Sequence, residues 1–397
     1  MKNNVLFKGN KEVNVSELLF FTSYSIYLIF ALLELTEINP SRTLFGIIRI
    51  ITFLIILFKL FLYDSKSLKF IFSFFVLLFI SYLTARNSGN FALVDAVILI
   101  YGAKGISFEK IVDVYVVIAT ILVVIITLLS IMGFIQNNIT VRNNVYRSSF
   151  GFMYPTVYIA CITYIIIADL YNAVSKHKNL IIRYFIYLLV SLYSYIFCNA
   201  RLGTITILLT IVFGMYAQHY LKVKKMNKII EFFIHYSFTI FTLISVLLVY
   251  MYIQSPYNSF LSNLDSLLTG RLYFSKMGVI NYGYSLFGQK IPMVVNGSGV
   301  GSLAAGNTQA YFFIDSSYMN IALCYGIISL IIICLAFNFL NGNLLKKTYS
   351  ILPIFLFLVA LNSAIGEQMS QICVNVFLLA FFSLHDNVDF KNGWIIE

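Results

Sequence analysis

Long apolar runs follow one another along almost the whole chain, and they constrain its fold more than any other sequence feature. A helix that spans a bilayer needs roughly 17–25 mostly apolar residues, and about 12 runs meet this need. The predicted spans are 18–35, 44–63, 68–84, 91–106, 112–135, 150–172, 181–198, 202–221, 229–253, 316–338, 350–365 and 368–384. The sequence therefore predicts an all-α polytopic membrane protein, a single integral membrane domain over residues 1–397. The turn at 365–368 is so tight that the last two runs also fit a broken or re-entrant pair.

Composition supports this class and excludes others. The chain is 60% hydrophobic and only 11% charged, whereas soluble domains carry roughly 25% charged residues. The formal net charge of +11 invites a nucleic-acid reading. That reading is rejected, because most lysines lie in short loops between apolar runs. We expect a lipid bilayer, and no nucleic acid, as the partner of this basic chain.

The lysines fall in alternate loops and predict an orientation. Short cytoplasmic loops of membrane proteins are enriched in Lys and Arg. The lysine-bearing loops are 64–69, 104–110, 172–179, 222–228 and 341–348. This alternation predicts that these loops and both chain termini lie in the cytoplasm. The large loop at 254–315 is then extracytoplasmic, and its segment 267–278 predicts a short amphipathic helix at the membrane surface.

The arginines are distributed in the opposite way. Most of them fall at the predicted outer face: Arg42, Arg86, Arg142, Arg147, Arg201 and Arg271. The planar guanidinium binds phosphate or carboxylate at two points, so outer arginines predict an anion site. The alternative is that some anchor span ends by extending to the interface, an interpretation strongest for Arg42. Arg201 lies in a tight turn with apolar flanks, so we expect its charge to be paired with a ligand or a carboxylate.

Two carboxylates accompany these arginines at the predicted outer face. Asp315 begins the span after the large loop, where it could act in a site or cap the helix. Glu367 lies between two apolar runs, where a carboxylate is unfavourable unless it is paired or hydrated. Hydrolase and metalloprotease motifs such as GxSxG and HExxH are absent from the sequence. We therefore expect neither a metal nor a cofactor.

Four segments resemble the Wzy-type repeat-unit polymerases of capsular polysaccharide and O-antigen synthesis. They are Arg147–Pro155, Asn199–Gly203, Thr269–Arg271 with Ser285–Gly288, and Asp315–Asn320 with Tyr325–Ile328. They occur in the family's order over roughly residues 145–330, and the span count also fits. Tyr154, Thr156 and Ala200 replace the His, Asn and Ser often found in these segments. A catalytic role for that histidine therefore cannot be transferred to this chain.

The resemblance implies a membrane glycosyltransferase on the outer face of the bacterial cytoplasmic membrane. Its substrate would be an undecaprenyl-diphosphate-linked oligosaccharide, and undecaprenyl diphosphate would leave as the sugar chain grows. Flippase and chain-length regulator proteins of the same pathway are the implied partners. The candidate catalytic residues are Arg201, Arg271, Asp315 and Glu367. The candidate substrate-binding residues are Arg147, Arg142, Arg86, Tyr154 and Tyr318.

Three alternatives stay open from the sequence. A glycan ligase, which moves finished polymer to another acceptor, shares much of this architecture but resembles a pattern with an outer-loop histidine. A flippase or transporter of lipid-linked oligosaccharide fits the span count, although no inverted repeats are visible. The third alternative is a structural membrane subunit.

Overall fold

The computed structural model describes residues 5–8, 11–64, 67–142, 144–255, 257–294, 311–347 and 350–383. The protein is mostly helical (73%), and these described residues include nine helices long and apolar enough to cross a membrane. The predicted membrane-helical class is therefore confirmed at that level. The middle of the large predicted loop, residues 295–310, lies outside the described ranges.

The helices follow one another along the chain. They are α1 Val15–Leu33, α2 Arg42–Leu62, α3 Leu68–Ser88, α4 Ala92–Gly102, α5 Phe108–Ile131, α6 Pro155–Ser175, α7 Ile181–Cys198, α8 Arg201–Val223, α9 Lys228–His235, α10 Ser237–Gln254, α11 Ser259–Leu267, α12 Arg271–Tyr282, α13 Ser317–Asn320, α14 Ile327–Leu345 and α15 Leu352–Ser363. A π-helical turn, Ile321–Tyr325, follows α13 and precedes α14. Two 3₁₀ turns, Gln368–Ser370 and Val376–Phe381, follow α15.

Five of the predicted spans differ from the structure. The run at 229–253 is divided between α9 and α10, and the run at 316–338 is interrupted at Gly326. The run at 91–106 forms only the short helix α4, and the run at 350–365 forms the short helix α15. The run at 368–384 forms 3₁₀ turns as far as it is described. Non-helical backbone at membrane depth is tolerated where protein surrounds it, and Phe377, Leu379 and Ala380 are fully buried. The broken form of this pair, predicted as one of two possibilities, matches the described residues.

Two short hairpins were not predicted. Strands β1 Val5–Lys8 and β2 Lys11–Asn14 pair antiparallel, as do β3 Ile139–Arg142 and β4 Val145–Ser148. The second hairpin connects α5 to α6. Its β-branched and aromatic residues favour strands, but each strand is too short to give a clear sequence signal. An all-α description is therefore accurate for the membrane helices but not for this connection.

The described part of the large loop contains two helices. Helices α11 and α12 flank Thr269 and Gly270, which both have left-handed backbone (φ 59° and 87°). This bend makes α12 begin at Arg271, later than the predicted start at residue 267. The carboxylate of Asp265 accepts the free N–H groups of Leu272 and Tyr273 at 2.9 and 3.1 Å. An acidic group at a helix N-terminus satisfies donors that the helix leaves unpaired.

A close backbone contact joins the large loop to α14. Gly326 has φ 94° and ψ 158°, a conformation that interrupts the helix between the π turn and α14. Segment 285–289 runs along this interruption: Ser285 O accepts from Ile327 N at 3.0 Å, and Gln289 N donates to Cys324 O at 3.1 Å. A Cβ atom on Gly326 would lie 2.4 Å from Leu286 O, and one on Gly288 would lie 2.4 Å from Cys324 O. The contact therefore requires glycine at both positions.

The contacts separate the loops into two ends of the helix bundle. At the lysine end, the fully buried Lys59 donates to Asp64 at 2.8 Å and to Lys104 O at 2.9 Å. Lys110 pairs with Glu17 there at 2.7 Å. At the arginine end, the segment after α1 meets the segment before α6, where Met153 N donates to Leu35 O at 3.1 Å. Loop 104–110 thus meets the start of α1 and the segment before α6 meets its end, so these two connections lie at opposite ends of α1.

Candidate functional site at the arginine end

The β3–β4 hairpin presents two arginines on one face. Thr140 pairs with Arg147 and Arg142 with Val145 in the antiparallel register. Directly paired residues share a face of a two-stranded sheet, and so do residues two apart along a strand. Arg142 and Arg147 therefore project from the same face, although four residues separate them in the sequence. Both reach the carbonyl groups at the end of α7.

Arg147 is buried with part of its hydrogen-bonding capacity unused. Its side chain is 8% exposed, and its Nε donates to Cys198 O at 2.9 Å. Its Nη2 has no hydrogen-bond partner among the described residues. Burial, and then the neighbouring charge of Arg142, lowers the pKa of Arg147 to about 10, so it remains cationic at neutral pH. A buried cation with a spare donor and no carboxylate within 4 Å in the described chain is suited to an anionic ligand.

Arg142 and the start of α8 extend this positive region. The Nη2 of Arg142 donates to Asn199 O at 3.1 Å. Burial lowers the pKa of Arg142, and the charges of Arg201 and Arg271 add to this effect. Asn199 adopts left-handed backbone (φ 44°), which ends α7 and allows α8 to begin at Arg201. The N-cap residue Ala200 makes no side-chain hydrogen bond to the first turn of α8, and an uncapped helix N-terminus attracts anions.

Arg201 does not have the surroundings that we expected for it. Its side chain is exposed, and it makes no ion pair within 4 Å to any described residue. The described chain therefore supplies no carboxylate partner for Arg201, and the expected pairing with a ligand stays a prediction. Arg201 is the first residue of α8, at the end of the helix.

Arg271 connects three separate parts of the chain. Its Nε donates to Ile365 O at 2.6 Å, and its Nη1 donates to Leu268 O at 2.9 Å and to Thr269 Oγ1. Its Nη2 lies 3.8 Å from Asp315 Oδ1. Most of the guanidinium donors are therefore used within the protein, so Arg271 is better suited to holding the site together than to binding a ligand.

Asp315 and Glu367 lie beside this connection. The N-cap of α13 is Ser316, so Asp315 is not the cap, and it faces Arg271 instead. Gly366 O accepts from Ser317 N at 3.1 Å, which holds Glu367 next to the start of α13. Burial raises the pKa of Asp315, while Arg271 acts in the opposite direction. Burial, and then the charge of Asp315, raises the pKa of Glu367 to about 8.

Six of the nine predicted site residues form one electrostatic cluster. The charges of Arg201 and Arg271 act on Arg142, those of Arg142 and Arg147 act on Asp315, and that of Asp315 acts on Glu367. Tyr311 belongs to the same cluster, because Asp315, Arg271, Glu367 and Arg147 all act on it. Sequence reasoning missed Tyr311, and its position four residues before Asp315 was the only available signal.

The other three predicted residues have different surroundings. Arg86 is exposed at the end of α3, and the neighbouring Asn87 donates to Phe287 O at 3.2 Å. Tyr154 is the N-cap residue of α6 and is partly exposed. Tyr318 is fully buried, and its hydroxyl donates to Ala360 O at 2.8 Å. This burial favours packing between α13 and α15 over substrate contact for Tyr318.

Comparison with known proteins adds no relative to this picture. No family model, no curated protein and no solved structure matches the chain. Among the described residues, no group of three or more His, Cys, Asp or Glu side chains is placed to hold a metal ion. The site must therefore be interpreted from its own geometry.

Proposed function

We propose that this protein is a membrane glycosyltransferase that polymerises undecaprenyl-diphosphate-linked oligosaccharide repeat units into a capsular or O-antigen-like polysaccharide. The observation that carries the proposal is the pair Arg142 and Arg147 on one hairpin face, beside the uncapped start of α8. The spare donor of Arg147 is buried there, with no hydrogen-bond partner among the described residues. A diphosphate matches this arrangement in charge.

The chemistry that we propose needs few catalytic groups. A sugar linked to a lipid diphosphate is already activated, because the diphosphate is a good leaving group. The protein then needs to align the acceptor hydroxyl with the anomeric carbon and to stabilise the charge that develops on the diphosphate. The arginine pair supplies the positive charge, and the Asp315–Glu367 region lies close enough for electrostatic coupling to it.

The proposal includes an orientation in the bacterial cytoplasmic membrane. The arginine end faces outwards, the lysine end and both termini face the cytoplasm, and the short helices and turns complete about 12 crossings of the bilayer.

We expect Lys290→Cys to react with a membrane-impermeant maleimide in intact cells, and Lys225→Cys only after permeabilisation. Both positions are exposed, and the five native cysteines are buried, which keeps the background low. The reverse labelling pattern would exclude this orientation.

Deleting the gene tests the function itself. We expect the deletion strain to lose polymer and to accumulate single repeat units that remain linked to lipid on the outer leaflet. Mass spectrometry of the glycolipids, combined with leaflet accessibility to a periplasmic glycosidase or a lectin, measures both points. Repeat units trapped on the inner leaflet would indicate a flippase. Long polymer that remains linked to lipid would indicate a ligase.

A further inference from the structure

Two carboxylates lie in the cluster, and their contacts differ. Asp315 faces Arg271, with 3.8 Å between its Oδ1 and the Nη2 of the arginine. Glu367 has no cation within 4 Å among the described residues. The charged partner of Glu367 with the largest effect is Asp315 itself, which repels it. A carboxylate held by an arginine is a weak base, whereas an unpaired one is stronger.

The backbone around Glu367 is fixed from two sides. The preceding residue, Gly366, accepts from Ser317 N at 3.1 Å, and Ile365 accepts from Arg271 Nε at 2.6 Å. The following backbone is held as well, because Met369 N donates to Ser317 Oγ at 3.2 Å. Residue Glu367 as a whole is partly exposed. The carboxylate is thus carried by a segment whose backbone is held in place, as a proton acceptor that must meet its substrate in a fixed geometry requires.

We infer that Glu367 is the general base that accepts the proton of the acceptor sugar hydroxyl, and that Asp315 instead positions Arg271. This inference rests on the proposed function. The acceptor O–H bond breaks as its proton moves to Glu367, and the acceptor oxygen forms the new bond to the anomeric carbon of the donor. The bond from that carbon to the lipid diphosphate breaks, and its electron pair leaves with the diphosphate. The proton then returns from Glu367 to solvent.

The ionisation of Glu367 supports this assignment. Its pKa is raised to about 8 by burial and by Asp315, and a base whose pKa lies near the working pH is efficient. The titratable groups that interact with it are Asp315, Tyr311, Cys324 and Tyr325, and the Gln371 side chain donates a hydrogen bond to it. Below its pKa the ionised fraction of Glu367 rises about tenfold per pH unit, so the rate should rise with pH in the same way.

The experiment uses the full chain in proteoliposomes with the lipid-linked repeat unit purified from the deletion strain. Rates are measured from about pH 6 to about pH 9, the range around the expected pKa. We expect Glu367→Gln to lower kcat by about 100-fold or more with little change in KM. Glu367→Asp should retain partial activity with a shifted profile. Glu34→Gln is the matched control, because Glu34 is exposed at the arginine end and outside the cluster.

The outcomes separate this inference from the proposed function. If the wild-type protein forms no polymer from this substrate, the proposed function fails. If the wild-type protein polymerises and Glu367→Gln keeps its rate and pH profile, the general-base role is overturned. A wild-type rate that falls as pH rises towards 8 would also overturn it. Asp315→Asn should keep the rise of the rate with pH. If Asp315→Asn loses this rise and Glu367→Gln keeps it, the general base is Asp315.

Discussion

Replacing Arg147 by alanine should abolish polymer formation while the protein still inserts into the membrane. The substitution removes the buried guanidinium with its spare Nη2 donor, the group to which we assign the diphosphate. Loss of one preorganised donor to a developing negative charge typically lowers kcat by about 10²–10³-fold. The kcat of Arg147→Lys should lie between those of the wild-type protein and Arg147→Ala, because lysine keeps the charge but loses the planar guanidinium. Polymer length on gels and initial rates in proteoliposomes measure the effect.

A purely structural role for Arg147 makes a different prediction. The bond from its Nε to Cys198 O fastens the hairpin to the end of α7, so its loss also lowers stability. Binding of inorganic pyrophosphate separates this structural role from a role in the site. We expect pyrophosphate to raise the Tm of the wild-type protein, since a ligand that binds the folded state stabilises it. Arg147→Ala should lose this shift, and Arg42→Ala, which removes an exposed cation at the same end, should keep it. A normal rate per folded molecule of Arg147→Ala would remove Arg147 from the site.

Replacing Gly326 by alanine should strongly destabilise the protein. The residue has φ 94° and ψ 158°, a region that L-residues occupy at a cost of about 1–3 kcal/mol. The added Cβ would also lie 2.4 Å from Leu286 O and 2.5 Å from Gly288 N, which are backbone atoms that cannot rotate away. The bonds across this contact would have to break, and each contributes about 0.5–1.5 kcal/mol. We expect a total loss of at least about 3 kcal/mol.

The control for Gly326→Ala is Gly46→Ala in α2, where no atom lies within 4 Å of the added Cβ. Alanine favours a helix over glycine by about 1 kcal/mol, so this variant should be as stable as the wild-type protein. Thermal melts of the detergent-purified proteins, followed by size-exclusion chromatography, make the comparison. Equal Tm values for Gly326→Ala and the wild-type protein would contradict the close contact between 285–289 and 324–328.

The helices could be predicted from sequence because a bilayer imposes a length and an apolar composition on each one. The predicted spans 18–35 and 44–63 match α1 Val15–Leu33 and α2 Arg42–Leu62 closely. The predicted span 316–338 instead contains the π turn and the break at Gly326. The sequence is apolar on both sides of that break, so the apolar pattern could not predict that Gly326 adopts a positive φ and interrupts the helix. The break depends on a contact with residue 288, which lies far away in the sequence.

The candidate site could be predicted by residue type but not by contact. Their predicted placement at the outer face was enough to select Arg142, Arg147 and Arg271, which the fold brings into one cluster. It could not reveal that two backbone carbonyls and the Thr269 hydroxyl accept from Arg271, while one donor of Arg147 has no partner among the described residues. Nor could it reveal that Tyr318 is buried. Hydrogen bonds of this kind depend on which loops are in contact, and these long-range contacts cannot be predicted from a single sequence.

The contacts of Arg271 have a consequence for biogenesis. Its partners Leu268 and Asp315 are synthesised close to it, but Ile365 emerges from the ribosome much later. A nascent chain that has inserted α1 to α14 therefore carries all the cluster arginines, yet it lacks the segment that fixes Arg271 and supplies Glu367. The cluster is completed only when α15 and the turns after it have folded back against α13. Assembly of the site is thus delayed until the surrounding helices are in place.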